Sequence, residues 1–459
     1  MSGELVRCAR ALVSGELRED YAFVVRDGKI VAAGDFHDVR AAAHTRSVRS
    51  FPADRLVVPG FINGHSHAYQ ILLRGWADDW PFAKWRSDAL YHVVPQLTPE
   101  DVYWTFVAAF SEMLAAGITT VAEFFYLNGT GNDHAEAVIR AASDAGIGLV
   151  LARTWMDAQS APPQFREGIE IAAERTLDLM RRFPEANVCV APHSLHAASR
   201  EMIRAAAEFS RERNCMLHVH VAEAAYEGEE TQRTSGRTPV ALLDDLGALN
   251  ERTVAIHAIY LSDDDANLLA TRSARVVHNP MTNQYLGDGI CDLVRLRSLG
   301  VTIGLGTDAD VRPSLIDEMR AAALLQKISA PRRRGTERAR CIRARHRTRR
   351  PGAADRGRRS GGGPAGRLRR ARRFQNRPVV TAAQRTSLPW RGRMGAGNVR
   401  RWPARLRRRA IAAGASGPRA PGRNQRASCA PLVTGDLNRT STMLPAGTAM
   451  SVFMVCESV

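Results

Sequence analysis

Histidines and acids recur in this chain at the ends of short apolar runs. In NGHSHAYQ, His65 and His67 stand two apart, and the period of two in an extended strand puts both side chains on one face. Two imidazoles then converge on one point. Taken alone, an H-x-H pair is as often a pair of core or solvated histidines as a metal site, so the other runs decide its meaning. APHSLH carries His193 and His196, HVHVAE carries His218, His220 and Glu223, AIHAIY carries His257, VVHNP carries His278, and GLGTDAD carries Asp308. Glu223 lies three residues beyond His220, where a chain turning off a strand returns a carboxylate to the strand end. His218 is expected to alternate with His220 and to point away from it, as a structural residue.

These runs need elements that bring them together. ITTVAEF, IGLVLART, NVCVAPHS, CMLHVHVAE, TVAIHAI, ARVVHNP and VTIGLGTD read as short strands. Between them lie segments such as AEAVIRAASDAG, EGIEIAAERTLDLMRRF, SREMIRAAAEFSRERN and PVALLDDLGAL, whose apolar residues recur at three and four. With the strand entering NGHSH the count is eight, which predicts a (β/α)8 TIM barrel over residues 59–330. An open doubly wound sheet would want a Gly-rich phosphate loop after its first strand, and NGHSHAYQ is not one. In such a barrel the C-terminal strand ends form the active face, so successive strands deliver His, His, His and Asp to the mouth that holds His65 and His67. That convergence predicts metal binding. Residues 1–58 read as a separate small β module, with Asp27-Gly28 as a hairpin turn.

Bulk properties narrow the classes. The formal net charge is +17, but residues 1–330 carry 32 Lys plus Arg against 43 Asp plus Glu, while residues 331–459 carry 32 against four. The body is acidic, so a basic groove for nucleic acid is not expected. All basic residues of 331–459 are Arg, in an Ala-, Gly- and Pro-rich text without periodicity. Such a segment reads as a GC-rich coding sequence translated out of frame (a frameshift), or as a disordered Arg-rich tail. The seven cysteines never form a C-x-x-C pair, which speaks against a disulfide framework and a thiolate zinc site. No apolar leader or spanning stretch is evident. The expectation is a cytoplasmic protein with a small-molecule substrate, no nucleic-acid or membrane partner, and scope for a homo-oligomer.

The order HSH, HVHVAE, AIHAIY, VVHNP, GLGTDAD resembles the amidohydrolase superfamily, in its mononuclear branch of chlorotriazine hydrolases and cytosine, guanine and S-adenosylhomocysteine deaminases. The likeness covers about residues 1–328, and residues 1–58 look like the N-terminal half of the family's accessory β-sandwich, whose C-terminal half is then missing. The resemblance implies His65, His67, His220 and Asp308 as ligands of one divalent metal, zinc first and iron(II) as the alternative. The metal would lower the pKa of a bound water and so supply hydroxide. Asp308 would take the water's proton, His257 would orient the nucleophile, and Glu223 would carry a proton to the leaving nitrogen. His193 and His278 would contact substrate. Two-metal members bridge their ions with a carboxylated lysine on the fourth strand, but the only lysines here are Lys29, Lys84 and Lys327.

The implied reaction is hydrolytic deamination of a ring or nucleoside-like compound. AEFFYLN, APHSLHA, HVHVAE, SGRTPV and LGDGI also resemble formimidoylglutamate deiminase of histidine degradation, which is the alternative. Arg74, Arg86 and Arg153 are candidates to serve a carboxylated substrate, and Tyr69, Trp76, Trp80 and Trp85 to line a lid. A third reading is an inactive frameshifted remnant of such an enzyme.

Overall fold

The computed structural model describes residues 3–76, 80–309 and 312–329, together with the backbone of 453–457. The chain opens with β1 (Glu4–Val13), β2 (Glu16–Arg26), β3 (Lys29–Asp35), β4 (Val48–Phe51) and β5 (Arg55–Pro59). β1, β2 and β3 form an antiparallel meander, while β4 and β5 pair parallel to β1. Its tight turns are set by backbone chemistry: Ser14-Gly15 and Asp27-Gly28 all adopt positive φ, the twist-compatible geometry of a two-residue hairpin. Alternation buries Val6, Cys8, Phe23 and Val25 on one face. On the other, Leu5, Ala22 and Val24 meet Val39 from the helix Phe36–Ala42.

Eight strands then follow in one sheet whose order matches the sequence: β6 (Phe61–Ser66), β7 (Ile118–Phe125), β8 (Gly148–Trp155), β9 (Cys189–Pro192), β10 (Leu217–Val221), β11 (Thr253–His257), β12 (Arg275–His278) and β13 (Thr302–Leu305). All neighbours are parallel. The sheet closes on itself beyond β13, where Thr307 and Asp308 donate backbone N–H bonds to His65 O and His67 donates to Asp308 O. Asn63 locks this seam, donating to Thr307 Oγ1 at 2.6 Å and accepting from Thr307 N at 3.0 Å. The result is a (β/α)8 barrel.

Helices between strands include Pro99–Ala115, Asp133–Ala145, Ile169–Arg182, Arg200–Arg213 and Leu315–Ser329. The periodic segments of the sequence supply most of them. Pro99–Ala115 starts at a capping box between Thr98 and Asp101, and Arg200–Arg213 starts at Ser199, whose hydroxyl accepts from Met202 N. Their apolar faces pack on the outside of the strands in two large clusters. That packing leaves the polar strand ends inside the barrel mouth.

A further strand, β14 (Phe453–Glu457), pairs antiparallel with β5 and extends the N-terminal sheet to six strands. The text from residue 331 onward was read as lacking periodicity, yet this stretch is Phe-, Val- and Met-rich, a composition that suits a strand. The frameshift and disorder readings of the remainder of 331–459 fall on residues outside the described set.

Candidate active site

The barrel mouth is assembled from strand ends. His65 is the penultimate residue of β6, His67 follows the strand, His220 lies in β10, His257 ends β11, and Asp308 lies just beyond β13. Ligand atoms of His65, His220, His257 and Asp308 all lie within 4.8 Å of one another. His67 joins them, its Nε2 3.3 Å from His220 Nε2 and 3.6 Å from Asp308 Oδ1. His65 Nε2 is 3.2 Å from Asp308 Oδ1. Every one of these side chains is buried.

Backbone carbonyls orient two of the rings. His67 Nδ1 donates to Phe124 O at 2.8 Å, and His220 Nδ1 donates to His193 O at 3.0 Å. Burial lowers the pKa of both histidines, His67 to about 4, so each is neutral and carries its proton on Nδ1. Their Nε2 lone pairs therefore face one another at 3.3 Å with no proton between them. Both ring nitrogens of His65 are buried without a hydrogen-bond partner. Bare lone pairs and a carboxylate aimed at one point repel unless a cation sits among them. Four ligands at roughly 2.0–2.2 Å from a metal stand about 3.4 Å apart, which matches the observed separations, so this group could bind one metal ion.

The backbone is strained here. His257, Ala258, Ala222 and Asp308 have φ of 73°, 50°, 53° and 50°, a region that costs non-glycine residues energy and clusters at functional sites. Close approach also demands Gly306: a Cβ there would lie 2.7 Å from His65 O and 2.8 Å from His65 Cβ. Glu223 sits on the turn after β10, its Oε1 3.4 Å from His257 Nε2. Burial, and secondarily the charge of Asp308, push its pKa well above the usual carboxylate range.

The cluster opens into a cavity of about 290 Å³, lined by His67, His193, His196, His220, Glu223, His257 and Asp308. Trp80, Phe82, Trp85, Arg86, Tyr91, Tyr226 and Tyr285 line it as well. Of the four aromatic residues considered for a lid, Trp80 and Trp85 reach the cavity, whereas Tyr69 and Trp76 pack in the core. His193 stacks on His220 with ring centroids 4.8 Å apart. His278 was expected to contact substrate. It is fully buried and does not line the cavity, because Asn279 and the helix Pro280–Leu286 follow at once and present Thr282, Tyr285 and Leu286 instead.

Two further corrections concern orientation. His218 does not face the helices: residues two apart share a face, and it is Leu217, Val219 and Val221 that pack into the helical layer. His218 is buried on the inner side, near enough to depress the pKa of His65. Among the arginines, Arg153 is buried in an ion pair with Glu167, which also binds Arg175, and Arg74 pairs with Glu112 at 2.6 Å. Arg86 lines the cavity over the rings of Phe82 and Tyr91 and makes no ion pair among the described residues.

Three contributors escaped the sequence reading. Glu227 accepts backbone N–H bonds from Ala222, Glu223 and Ala224 at 3.0–3.1 Å and so fixes the turn that carries Glu223. Glu123 accepts from Ala68 N behind the H-x-H pair. Asn283 contacts His257 Nδ1. A glutamate three residues into a helix that follows a strand was the available signal for Glu227.

A closed parallel barrel with a buried His/Asp cluster at its C-terminal mouth defines a class of hydrolases. The chain belongs to the amidohydrolase family, whose model matches residues 56–344. A 5-methylthioadenosine/S-adenosylhomocysteine deaminase of Pyrococcus furiosus is 30% identical over 330 residues, spanning 67% of this chain and 76% of the relative. A 5'-deoxyadenosine deaminase of Methanothermobacter thermautotrophicus is 33% identical over 285 residues, 60% of this chain and 64% of that protein. Among solved structures, an adenosine deaminase from Xanthomonas campestris with bound zinc aligns with a TM-score of 0.66 at 27% identity, covering 71% of this chain and 74% of that one.

Proposed function

We propose that this chain is an aminohydrolase that releases ammonia from an amidine-like carbon of a ring or nucleoside-like compound. The observation that carries the reading is Glu223 beside His257 and Asp308, where an acid of raised pKa and a second carboxyl group share one mouth. His65, His67, His220 and Asp308 would hold one divalent metal, zinc first. Such an ion, when bound, supplies a water of lowered pKa as nucleophile.

The residues divide the proton work. Asp308 Oδ2, 3.8 Å from His257 Nε2, accepts the proton that water loses as its oxygen bonds to the substrate carbon. Glu223, whose pKa burial raises, gives a proton to the nitrogen, and the C–N bond breaks to release ammonia. The proton taken from water returns through the pair, so the net change is addition of water and loss of ammonia. His193, His196, Trp80 and Trp85 line the cavity and would contact the substrate ring. Glu223→Gln tests this: the variant should bind metal like the parent and lose about 10²–10⁴-fold in turnover. Parent-like ammonia release from the metal-loaded variant would remove Glu223 from the chemistry.

A second reading, deimination of a formimidoyl group on a carboxylated substrate such as formimidoylglutamate, is favoured by Arg86. Arg86 lines the cavity with His193 and His196, whose pKa values are lowered first by burial and further by its charge. A nucleoside has no anion for it to bind.

A further inference from the structure

His257 belongs to the same cluster as the candidate ligands, yet its ring is held differently. Its Nδ1 meets two amides, Asn283 Nδ2 at 3.0 Å and Asn279 Nδ2 at 3.3 Å, and all three residues are buried. An asparagine can present either its oxygen or its nitrogen to a neighbour, so the direction of this contact needs an independent anchor. Asp288 provides one: Asn283 Nδ2 also lies 3.0 Å from Asp288 Oδ2. A carboxylate only accepts, and turning the amide over would set its oxygen against that carboxylate. One Nδ2 hydrogen thus goes to Asp288 and the other to His257 Nδ1.

A ring nitrogen that receives a donor keeps its lone pair, so the proton of neutral His257 resides on Nε2. That atom points toward Glu223 Oε1 and Asp308 Oδ2, at 3.4 and 3.8 Å. His67 and His220 are arranged the opposite way, with Nδ1–H given to carbonyls and Nε2 left bare. One mouth therefore holds two kinds of histidine, lone-pair donors and a proton donor.

Resting on the aminohydrolase reading, we infer that Asn283, anchored by Asp288, is a positioning residue that fixes His257 as the Nε2–H tautomer, keeping it out of the ligand set and available to donate to the attacking water oxygen. The segment VVHNPMTNQYLGD would then serve the site through Asn279, Asn283 and Asp288, with His278 in its interior.

Nitrogen-15 NMR of histidine-labelled full chain, with and without added zinc, reads the tautomer directly, His257 being assigned by its loss in His257→Asn. The parent should show protonated Nε2. The paired exchange Asn283→Asp with Asp288→Asn keeps the side-chain contact but reverses its polarity, and should move the proton to Nδ1. Turnover in the exchange variant should fall about 10–100-fold, with KM and zinc stoichiometry held. A parent protonated on Nδ1, or an exchange variant still protonated on Nε2, overturns the inference. Because the tautomer is read without turnover, failure of the deaminase reading leaves this result separate.

Discussion

At the scale of single residues, proton placement separates the roles. Six histidines of the mouth region, His65, His67, His193, His196, His220 and His257, have pKa values lowered first of all by burial. Neutral imidazoles make good metal donors and poor substitutes for a cation. Glu223 goes the other way, its pKa raised first of all by burial. Arg86 lines the cavity and makes no ion pair among the described residues, and it divides the two substrate readings. Arg86→Met should raise KM for formimidoylglutamate by 10-fold or more, as loss of a bidentate carboxylate contact costs about 1.5–3 kcal/mol, while leaving any turnover of adenosine or 5-methylthioadenosine within about twofold. Measuring ammonia release across this panel decides the matter. A parent that turns over only nucleosides would assign Arg86 another task.

The elements explain why the mouth was legible in the sequence and where that legibility ended. HSH, HVHVAE, AIHAIY and GLGTDAD stand at the ends of β6, β10, β11 and β13, so counting strands was enough to place His65, His67, His220, His257 and Asp308 together. His218 was misassigned because the same period of two used for His65 and His67 was not applied to it. Asn283 was invisible for another reason, since its importance comes from what the helix start beyond β12 folds back upon, which no local period encodes, whereas Glu227 carried a local signal as the third residue of the helix after β10. Glu227→Ala tests the second of these. Three backbone donors on the turn would lose their acceptor, at about 1–3 kcal/mol for each one left buried and unsatisfied. The thermal midpoint should fall, and turnover should drop more than metal affinity, since Glu223 rides on that turn and His220 precedes it. Unchanged turnover with a lowered midpoint would confine Glu227 to stability.

Across the whole molecule, charge and burial couple stability to pH. Eight histidines, the six above with His218 and His278, six of them buried and His193 and His196 half-buried, have folded pKa values below the unfolded value of about 6.5. Their contribution is fully present above that pH and is lost as pH falls below it toward about 4, because the unfolded chain takes up protons the fold refuses. Glu223, Glu227 and Asp288 have raised values and slope the opposite way over part of that window. At about 1.4 kcal/mol per proton per pH unit, eight groups outweigh three. Metal-free protein should therefore melt roughly 5–10 °C lower at pH 5.5 than at pH 7.5, and a flat or reversed trend would show that the histidines are not held neutral. The acidic body of residues 1–330 and the Arg-rich stretch beyond it remain two distinct texts; of the latter, only the strand Phe453–Glu457 is described.

On the proposed reading, four side chains from three barrel strands, His65, His67, His220 and Asp308, hold one metal ion, with His257 beside it and Glu223 at its edge. Diffraction from zinc-loaded crystals, collected on either side of the zinc absorption edge, tests it most directly. The account predicts a single anomalous peak per chain, roughly 2.0–2.2 Å from Nε2 of His65, His67 and His220 and from an Asp308 oxygen, with His257 beyond bonding distance and Glu223 unbound. Two peaks in the mouth, a peak ligated by His257 in place of His67, or zinc bound elsewhere on the chain with the mouth empty would contradict it.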